Sequence, residues 1–579
     1  MPGVAVLRRY DRVWLRGDVL AGVTVAAYLV PQVLAYAEVA GLPAIAGLWA
    51  VGPGLLAYAL LGSSRLLSVG PESTTALMTA AGVGALVTAA GGMAMRQEVA
   101  ALMAIAVGVV CIGGFLLRLG FLADLLSKPV LVGYMAGIAV LMIVSQLGKL
   151  TGLTVQGETF LHEVAYFLTH LAEVELPTLL LATAVVVVLS VFQRLAPTWP
   201  GPLIAMLGAT LVVQVFGLAE SAGIDVVGPV PQGLPSLRMP QVETVDLWQL
   251  LPAALGVAVV GYSDNVLTGR AFATRHRETI DSNQEFLALG AANIGAGLVQ
   301  GFPISSSGSR TVLADAMRAR TQLHSLVSLV LVVASLLWLG PLIALFPAAA
   351  LGGVVVFAAI RLVDVPELRR IARFRGSELA LSVATTLAVL VFGVLPGIGA
   401  AIALSLLDLL RRIVHPHDGV LGYVPQVAGM HDIDDYPDAV QVPGLIVYRY
   451  DSPLFFANSH DFVTRALAAV DDAQARGPVE WFLLNAEANT EVDLTAVDAL
   501  EQIRSTLADR GIGFSMARVK EDMRVPLEAA GFIDRLGAEH VFPTLPTAVA
   551  AYAEWFRRKH GIPPPGLHIP REPPRPEVL

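Results

Sequence analysis

Two short runs inside apolar sequence hold residue types able to bind an anion. One is Gly70-Pro71-Glu72-Ser73-Thr74-Thr75. The other is Gly301-Phe302-Pro303-Ile304-Ser305-Ser306-Ser307-Gly308-Ser309-Arg310. In each, a proline precedes hydroxyl residues and an apolar stretch follows. Proline suits a helix start, and Ser or Thr caps the free N–H groups there. A helix that begins within a bilayer points unpaired N–H donors and a positive dipole end into a low dielectric, which is the chemistry of an anion site. The competing reading is that these hydroxyls serve helix packing. The two prolines lie 232 residues apart (303 − 71). That offset sets Ser73, Thr74 and Thr75 against Ser305, Ser306 and Ser307, and Gln32 against Asp264. This is the pattern of two related halves meeting at a midplane site.

Four further residues could take part. Arg310 falls one or two turns into the second helix, where a bare guanidinium is costly and needs a cavity or a partner. Pairing with Asp264 would be structural, whereas binding a substrate anion would be functional. Asp264 and Thr268 are spaced i, i+4 and share a helix face. Together they could begin a Na⁺ shell, or Asp264 alone could carry a proton, since burial favours the neutral carboxyl. Glu38, near the end of the first apolar segment, is a second candidate proton carrier or an ordinary interfacial acid. The single cysteine, Cys111, sits in an apolar run, so an intrachain disulfide and a thiolate metal cluster are excluded. No metal or cofactor is expected.

These residues need membrane elements to position them. The chain has 579 residues, 55% hydrophobic and 15% charged, with mean hydropathy +0.67. Soluble proteins carry about 25% charged residues, so the bilayer is the natural solvent for the excess. Apolar segments fall near 18–39, 44–61, 71–92, 97–117, 129–148, 177–193, 200–217, 248–269, 283–300, 304–317, 322–345, 347–360, 376–394 and 396–410. Several are shorter than the roughly 20 residues of a full span, as in the discontinuous helices of transporters. Residues 1–17, with Arg8, Arg9, Arg12 and Arg16, read as a cytoplasmic N-terminus. With that orientation, twenty Lys and Arg fall on the cytoplasmic side and three (Arg96, Lys149, Arg238) on the other, a strong positive-inside bias. The net charge of −9 argues against a nucleic-acid partner. No GxxxxGK[ST] run occurs, which removes a self-contained ATP-driven pump.

The transmembrane part is expected over 18–412. Residues 413–443 are polar and acidic and read as a linker. Over 444–560, LIVYRY, VEWFLLN and IGFSMARV read as buried strands between amphipathic helices, a compact α/β domain on the cytoplasmic side. Residues 561–579 are rich in proline and read as a disordered tail.

The runs GDVLAGVTVAAYLVPQVLAYAEVAGLP, LLGSSRLLSVGPES and SNQEFLALGAANIGAGLVQGFP, in that order, resemble the signatures of the SulP family of sulfate permeases and solute-carrier anion transporters. The likeness extends to its actinobacterial sulfate-permease members, and 444–560 resembles the family's STAS domain. The resemblance implies a helical membrane protein of fourteen transmembrane segments in two inverted seven-helix repeats, with a cytoplasmic α/β STAS domain. It implies a homodimer in the cell membrane that carries no enzymatic activity. It also implies secondary active uptake of a small inorganic anion, sulfate, by H⁺ symport and elevator-like alternating access. Na⁺-coupled bicarbonate or dicarboxylate transport, or an exchanger or channel, are the alternatives. By motif match Gln32, Ser73, Thr74, Ser307, Ser309 and Arg310 fall on substrate positions, and Glu38 and Asp264 on ion-coupling positions, with Thr268 added by its spacing from Asp264. Relatives carry a Gly-rich run where this chain has Ile304-Ser305-Ser306-Ser307-Gly308, which leaves the choice of oxyanion open. Asp493-Leu494-Thr495 falls where anti-sigma antagonists are phosphorylated, although a helix cap is the simpler role there.

Overall fold

Proline and acidic caps set where many of the helices begin. Pro129, Pro177 and Pro202 stand in the first turns of their helices, where a missing N–H costs nothing. Asp281 caps the next start, accepting from the backbone N–H groups of Asn283 and Gln284. The computed structural model describes residues 2–8, 10–87, 92–121, 127–153, 160–229, 231, 233–241, 247–424 and 427–565. Most of the expected tail lies outside them, as does Arg9. The chain divides into two compact units, Met1–Leu406 and Leu407–Leu579.

The first unit is helical, the last of its helices running on into the second unit, and a main helix falls on each of the fourteen apolar segments: α1 Leu15–Val39, α2 Ile45–Leu61, α3 Ser73–Leu86, α4 Gly92–Leu116, α5 Lys128–Ser145, α6 Leu176–Leu195, α7 Gly201–Val215, α8 Leu247–His276, α9 Ser282–Leu298, α10 Gly308–Ala316, α11 Leu323–Trp338, α12 Ala348–Leu362, α13 Gly376–Phe392 and α14 Val394–Val414. Among the described residues, seven have the length and hydropathy of a complete span, and five more are apolar but shorter. The other two, α9 and α10, have 17 and 9 residues.

The helices sort into two sets by what they pack on. One set is α1–α4 with α8–α11; the other is α5–α7 with α12 and α13. Within each set, glycines let backbones touch. A Cβ on Gly108 of α4 would meet the Gly290 carbonyl of α9 at 2.7 Å, and one on Gly133 of α5 would collide with the Ser382 carbonyl of α13.

The short helices α3 and α10 start at the same place. Each is preceded by an extended pair, β1 Val69–Gly70 and β2 Ser305–Ser306, which hydrogen-bond antiparallel to each other. Their N-caps, Glu72 and Ser307, both have extended backbone and lie 235 residues apart (307 − 72). The helices α2 and α9 are both 17 residues long, with starts 237 apart (282 − 45). The two halves therefore correspond at an offset of about 235, not at the 232 of the prolines. Three extra residues separate Pro303 from its helix, so the partner of Glu72 is Ser307.

The second unit holds a six-stranded mixed sheet of order β4-β3-β5-β6-β7-β8. Its strands are β3 Asp418–Tyr423, β4 Met430–Asp432, β5 Leu445–Tyr450, β6 Trp481–Asn485, β7 Gly513–Ala517 and β8 Val541–Phe542. The strands β5 to β8 run parallel, with α15 Ser459–Arg476 and α16 Leu494–Asp509 in the crossovers. Two strands thus arise inside the stretch expected as a linker. Side-chain ties hold β3 there. Asp418 accepts from the Tyr448 hydroxyl at 2.7 Å and pairs with Arg465 of α15, partners 30 and 47 residues away. Burial, then the Asp418 carboxylate, push the Tyr448 phenol well up from its ordinary value.

Because each unit has its own core, truncation after Arg412 is expected to leave a monodisperse membrane protein that still binds anion. Size-exclusion chromatography and ligand-induced thermal shift would check this. Aggregation of every truncation between Arg412 and His417 would count against it.

Candidate functional site

A cavity of about 230 Å³ opens where α3 and α10 begin. That volume suits a small ion rather than a cofactor, whose sites are typically larger than about 300 Å³. Its polar lining comes mainly from the first helix set: Tyr28, Gln32 and Tyr36 on α1, Glu72, Ser73 and Thr74 at α3, Asp264 and Thr268 on α8, and Ser307, Gly308 and Ser309 at α10. The facing wall comes from the second set: Met135 of α5 and Ala358, Arg361 and Leu362 of α12. The cavity therefore lies on the seam between the sets.

Tertiary hydrogen bonds fix the two helix starts. Asn293 on α9 brackets the strand before α10: its amide donates to the Ile304 carbonyl at 3.0 Å and its Oδ1 accepts from the Ile304 N–H at 2.9 Å. Gln322, just before α11, does the same for the other half, donating to the carbonyls of Ser64 and Leu67. The halves are cross-tied, since Ser307 N–H donates to the Ser68 carbonyl and Ser68 N–H to the Thr311 hydroxyl.

Behind the cavity sits Arg310, fully buried. Its Nη1 donates to Gln32 Oε1 at 3.1 Å and to the Pro71 carbonyl at 2.9 Å, and its Nε reaches Ser68 Oγ at 3.4 Å. Its Nη2 has no partner. A Cβ at Gly70 would stand 3.4 Å from that nitrogen, so glycine leaves it room. All the acceptors are neutral, and among the described residues no carboxylate pairs with Arg310. The Asp264 pairing is not formed: Asp264 accepts instead from the Ser306 hydroxyl at 3.1 Å. A buried cation with neutral partners attracts an anion to the nearest open space.

The structure brings Gln32, Ser73, Thr74, Ser307, Ser309, Asp264 and Thr268 to one cavity, with Arg310 bonded to its Gln32. Gln32 also donates to the Tyr36 hydroxyl, and the Ser307 and Ser309 hydroxyls lie 3.2 Å apart. Glu38 is not among the lining residues. It stands six residues, about 9 Å, further along α1 and is ion-paired with Lys149, which lines a separate cavity. In the second unit Asp493 is the N-cap of α16, accepting from the N–H groups of Ala496 and Phe456, and Thr495 is exposed in the first turn.

Two charged residues of the cavity, Glu72 and Arg361, are not candidates on sequence alone, nor are Tyr28 and Tyr36. Glu72 was visible in the first hydroxyl run, but its side chain was given no part. Its carboxylate accepts from Thr74 N–H at 2.7 Å and from the Ser73 hydroxyl. Arg361, exposed at the end of α12, lines the cavity with its guanidinium over the Phe357 ring.

Residues 15–385 match the sulfate permease family and residues 436–548 match the STAS domain. A protein described as a probable sulfate transporter from Mycobacterium tuberculosis is 57% identical over 558 residues, 96% of this chain and 98% of that protein. The murine Solute Carrier 26 family member A9 anion transporter, solved in the inward-facing state, superposes with a TM-score of 0.85 at 23% identity. The match covers 95% of this chain and 93% of that one. The transmembrane domain of a cyanobacterial bicarbonate transporter superposes at 0.59 with 23% identity, over 68% of this chain and 98% of its own.

Proposed function

This chain belongs to the sulfate permease family, and we propose that it is a secondary carrier that takes up sulfate together with H⁺. The observation that carries the reading is Arg310: a buried guanidinium with no carboxylate partner among the described residues, behind a small cavity into which two helix starts open. An oxyanion in that cavity accepts from the helix N–H groups and hydroxyls and compensates the guanidinium charge. The M. tuberculosis relative described as a probable sulfate transporter favours sulfate among the oxyanions.

The position of the cavity supports an elevator-like motion. Nearly all its polar groups ride on one helix set, and the other supplies a mostly apolar wall. Sliding the first set against the second moves the bound anion without dismantling its contacts. The Lys/Arg bias supports a cytoplasmic N-terminus and STAS domain. On that orientation the exposed Arg361 marks a cavity open to the cytoplasm. A homodimer is expected from family likeness, and no enzymatic step is assigned.

H⁺ coupling needs a carboxylate at the cavity, and Asp264 and Glu72 both line it. Glu38, salt-bridged to Lys149, is a weaker candidate. One observation favours a second reading: Asp264 and Thr268 both line the cavity and could ligate Na⁺, as a Na⁺-coupled bicarbonate carrier would need. Proteoliposomes with an acidic exterior and no Na⁺ are expected to accumulate radiolabelled sulfate. Uptake indifferent to the pH gradient but driven by a Na⁺ gradient would favour the second reading, and preference for labelled bicarbonate would change the substrate.

A further inference from the structure

The two helix starts are built alike but finished differently. At α10 the N-cap Ser307 makes no side-chain cap bond, and a Cβ on Gly308 would meet nothing within 4 Å. At α3 the N-cap Glu72 folds back onto its own helix, holding the Thr74 N–H and the Ser73 hydroxyl. Those are two of the donors that α3 can offer to the cavity. Glu72 itself lines the cavity, and among the described residues no cation forms an ion pair with it. One of two matched anion seats is open, and the other is filled by a carboxylate of the protein.

We infer that Glu72 is a tethered anion occupying the α3 half of the substrate site, and that the transported oxyanion takes its place only as Glu72 turns aside and accepts a proton. The inference rests on the reading of the cavity as an oxyanion site. The groups around Glu72 are Tyr28 and Tyr36 on α1, Tyr134 on α5, Asp264 on α8, Arg310 on α10 and Arg361 on α12. With sulfate seated and Glu72 still ionised, two carboxylates and a dianion would face two guanidinium groups. One proton from solution, bound to the displaced carboxylate, halves that excess negative charge and turns a competing acceptor into a donor. Each anion that binds thus brings one proton, and the proton leaves when Glu72 recloses on the emptied helix start. In this scheme the proton that accompanies the anion is bound by Glu72, and Asp264, which accepts from Ser306, is not its carrier.

The test is isothermal titration of purified full-length protein with potassium sulfate from pH 6 to pH 8, in buffers of different ionisation enthalpy, which counts protons taken up per anion. Wild type is expected to take up about one proton, with affinity falling about tenfold per pH unit on the alkaline limb. Glu72→Gln keeps an acceptor for the cap but lacks the charge. It should bind at least about tenfold more tightly than wild type at the alkaline end, with no proton taken up and a flat pH profile. Asp264→Asn and Glu72→Asp should keep the slope. A wild type that binds sulfate without proton uptake overturns the inference, and that measurement needs no variant to fold. So does a slope that survives in Glu72→Gln and vanishes in Asp264→Asn. Failure of wild type and variants to bind sulfate, bicarbonate or oxalate overturns the oxyanion reading itself, and this inference with it.

Discussion

Arg310→Gln is expected to weaken sulfate binding by about two to three orders of magnitude, as loss of one partner from a buried charge pair does, while the protein stays folded. Among the described residues the guanidinium has only neutral acceptors, Gln32, Pro71 and Ser68, and one nitrogen is unpaired. Without a bound anion, its burial is therefore a cost to the fold. Glutamine can still donate to the Pro71 carbonyl, so the crossing of β1 and β2 keeps a tie. Sulfate titration and thermal unfolding of the same detergent-solubilised sample would check both halves. Unchanged sulfate affinity would return Arg310 to a structural role. A collapse of the unfolding temperature in step with affinity would make the loss uninterpretable as binding and count against the site.

The reverse pattern is expected for Glu285→Ala, which should cost about 3 kcal/mol of stability or more, the range for breaking a buried charged network. Glu285 is fully buried on α9. Its carboxylate accepts from the Tyr58 hydroxyl at 2.8 Å, Asn265 Nδ2 at 2.6 Å, and the N–H and hydroxyl of Ser63 at 2.9 and 2.7 Å. Alanine would leave those donors on α2, its following loop and α8 unpaired. Glu285→Gln retains one acceptor oxygen and should lose less. Denaturant unfolding in detergent would rank the three proteins, and the fraction that folds should bind sulfate within about threefold of wild type. An alanine variant as stable as wild type would show that the network contributes little.

Much of the membrane unit is legible in the sequence because lipid leaves few choices. Apolar runs must be helices, and Pro followed by Ser or Thr marks where a helix starts. This is why Gln32, Ser73, Thr74, Ser307, Ser309, Asp264 and Thr268 can be picked out and are found around one cavity. What is not legible depends on partners far along the chain. The Glu38–Lys149 pair joins residues 111 apart, and the Glu285–Tyr58 bond joins residues 227 apart. Repeat register fails for a different reason. Proline marks the approach to a helix rather than its first turn: Pro71 follows β1, whereas Pro303 precedes β2. In the second unit the acidic composition of 413–443 hides β3 and β4, because Asp418 is tied to Tyr448 and Asp432 is buried 3.8 Å from the Arg449 guanidinium, partners that lie elsewhere in the chain.

The bond from Arg310 to the Pro71 carbonyl spans 239 residues, and that separation bears on how the protein is made. At a synthesis rate of about 5–20 residues per second, Pro71 precedes Arg310 out of the ribosome by roughly 12–48 s. During that interval the first half must reside in the bilayer without its counterpart. Glu72 suits this wait, because it satisfies the exposed start of α3 from within its own segment. Arg310 has no such local remedy, but it arrives last, when Gln32, Ser68 and Pro71 can already receive it. The order of the two halves along the chain is then an insertion schedule: the half that can cap itself is translated first, and the half that needs a prepared berth follows.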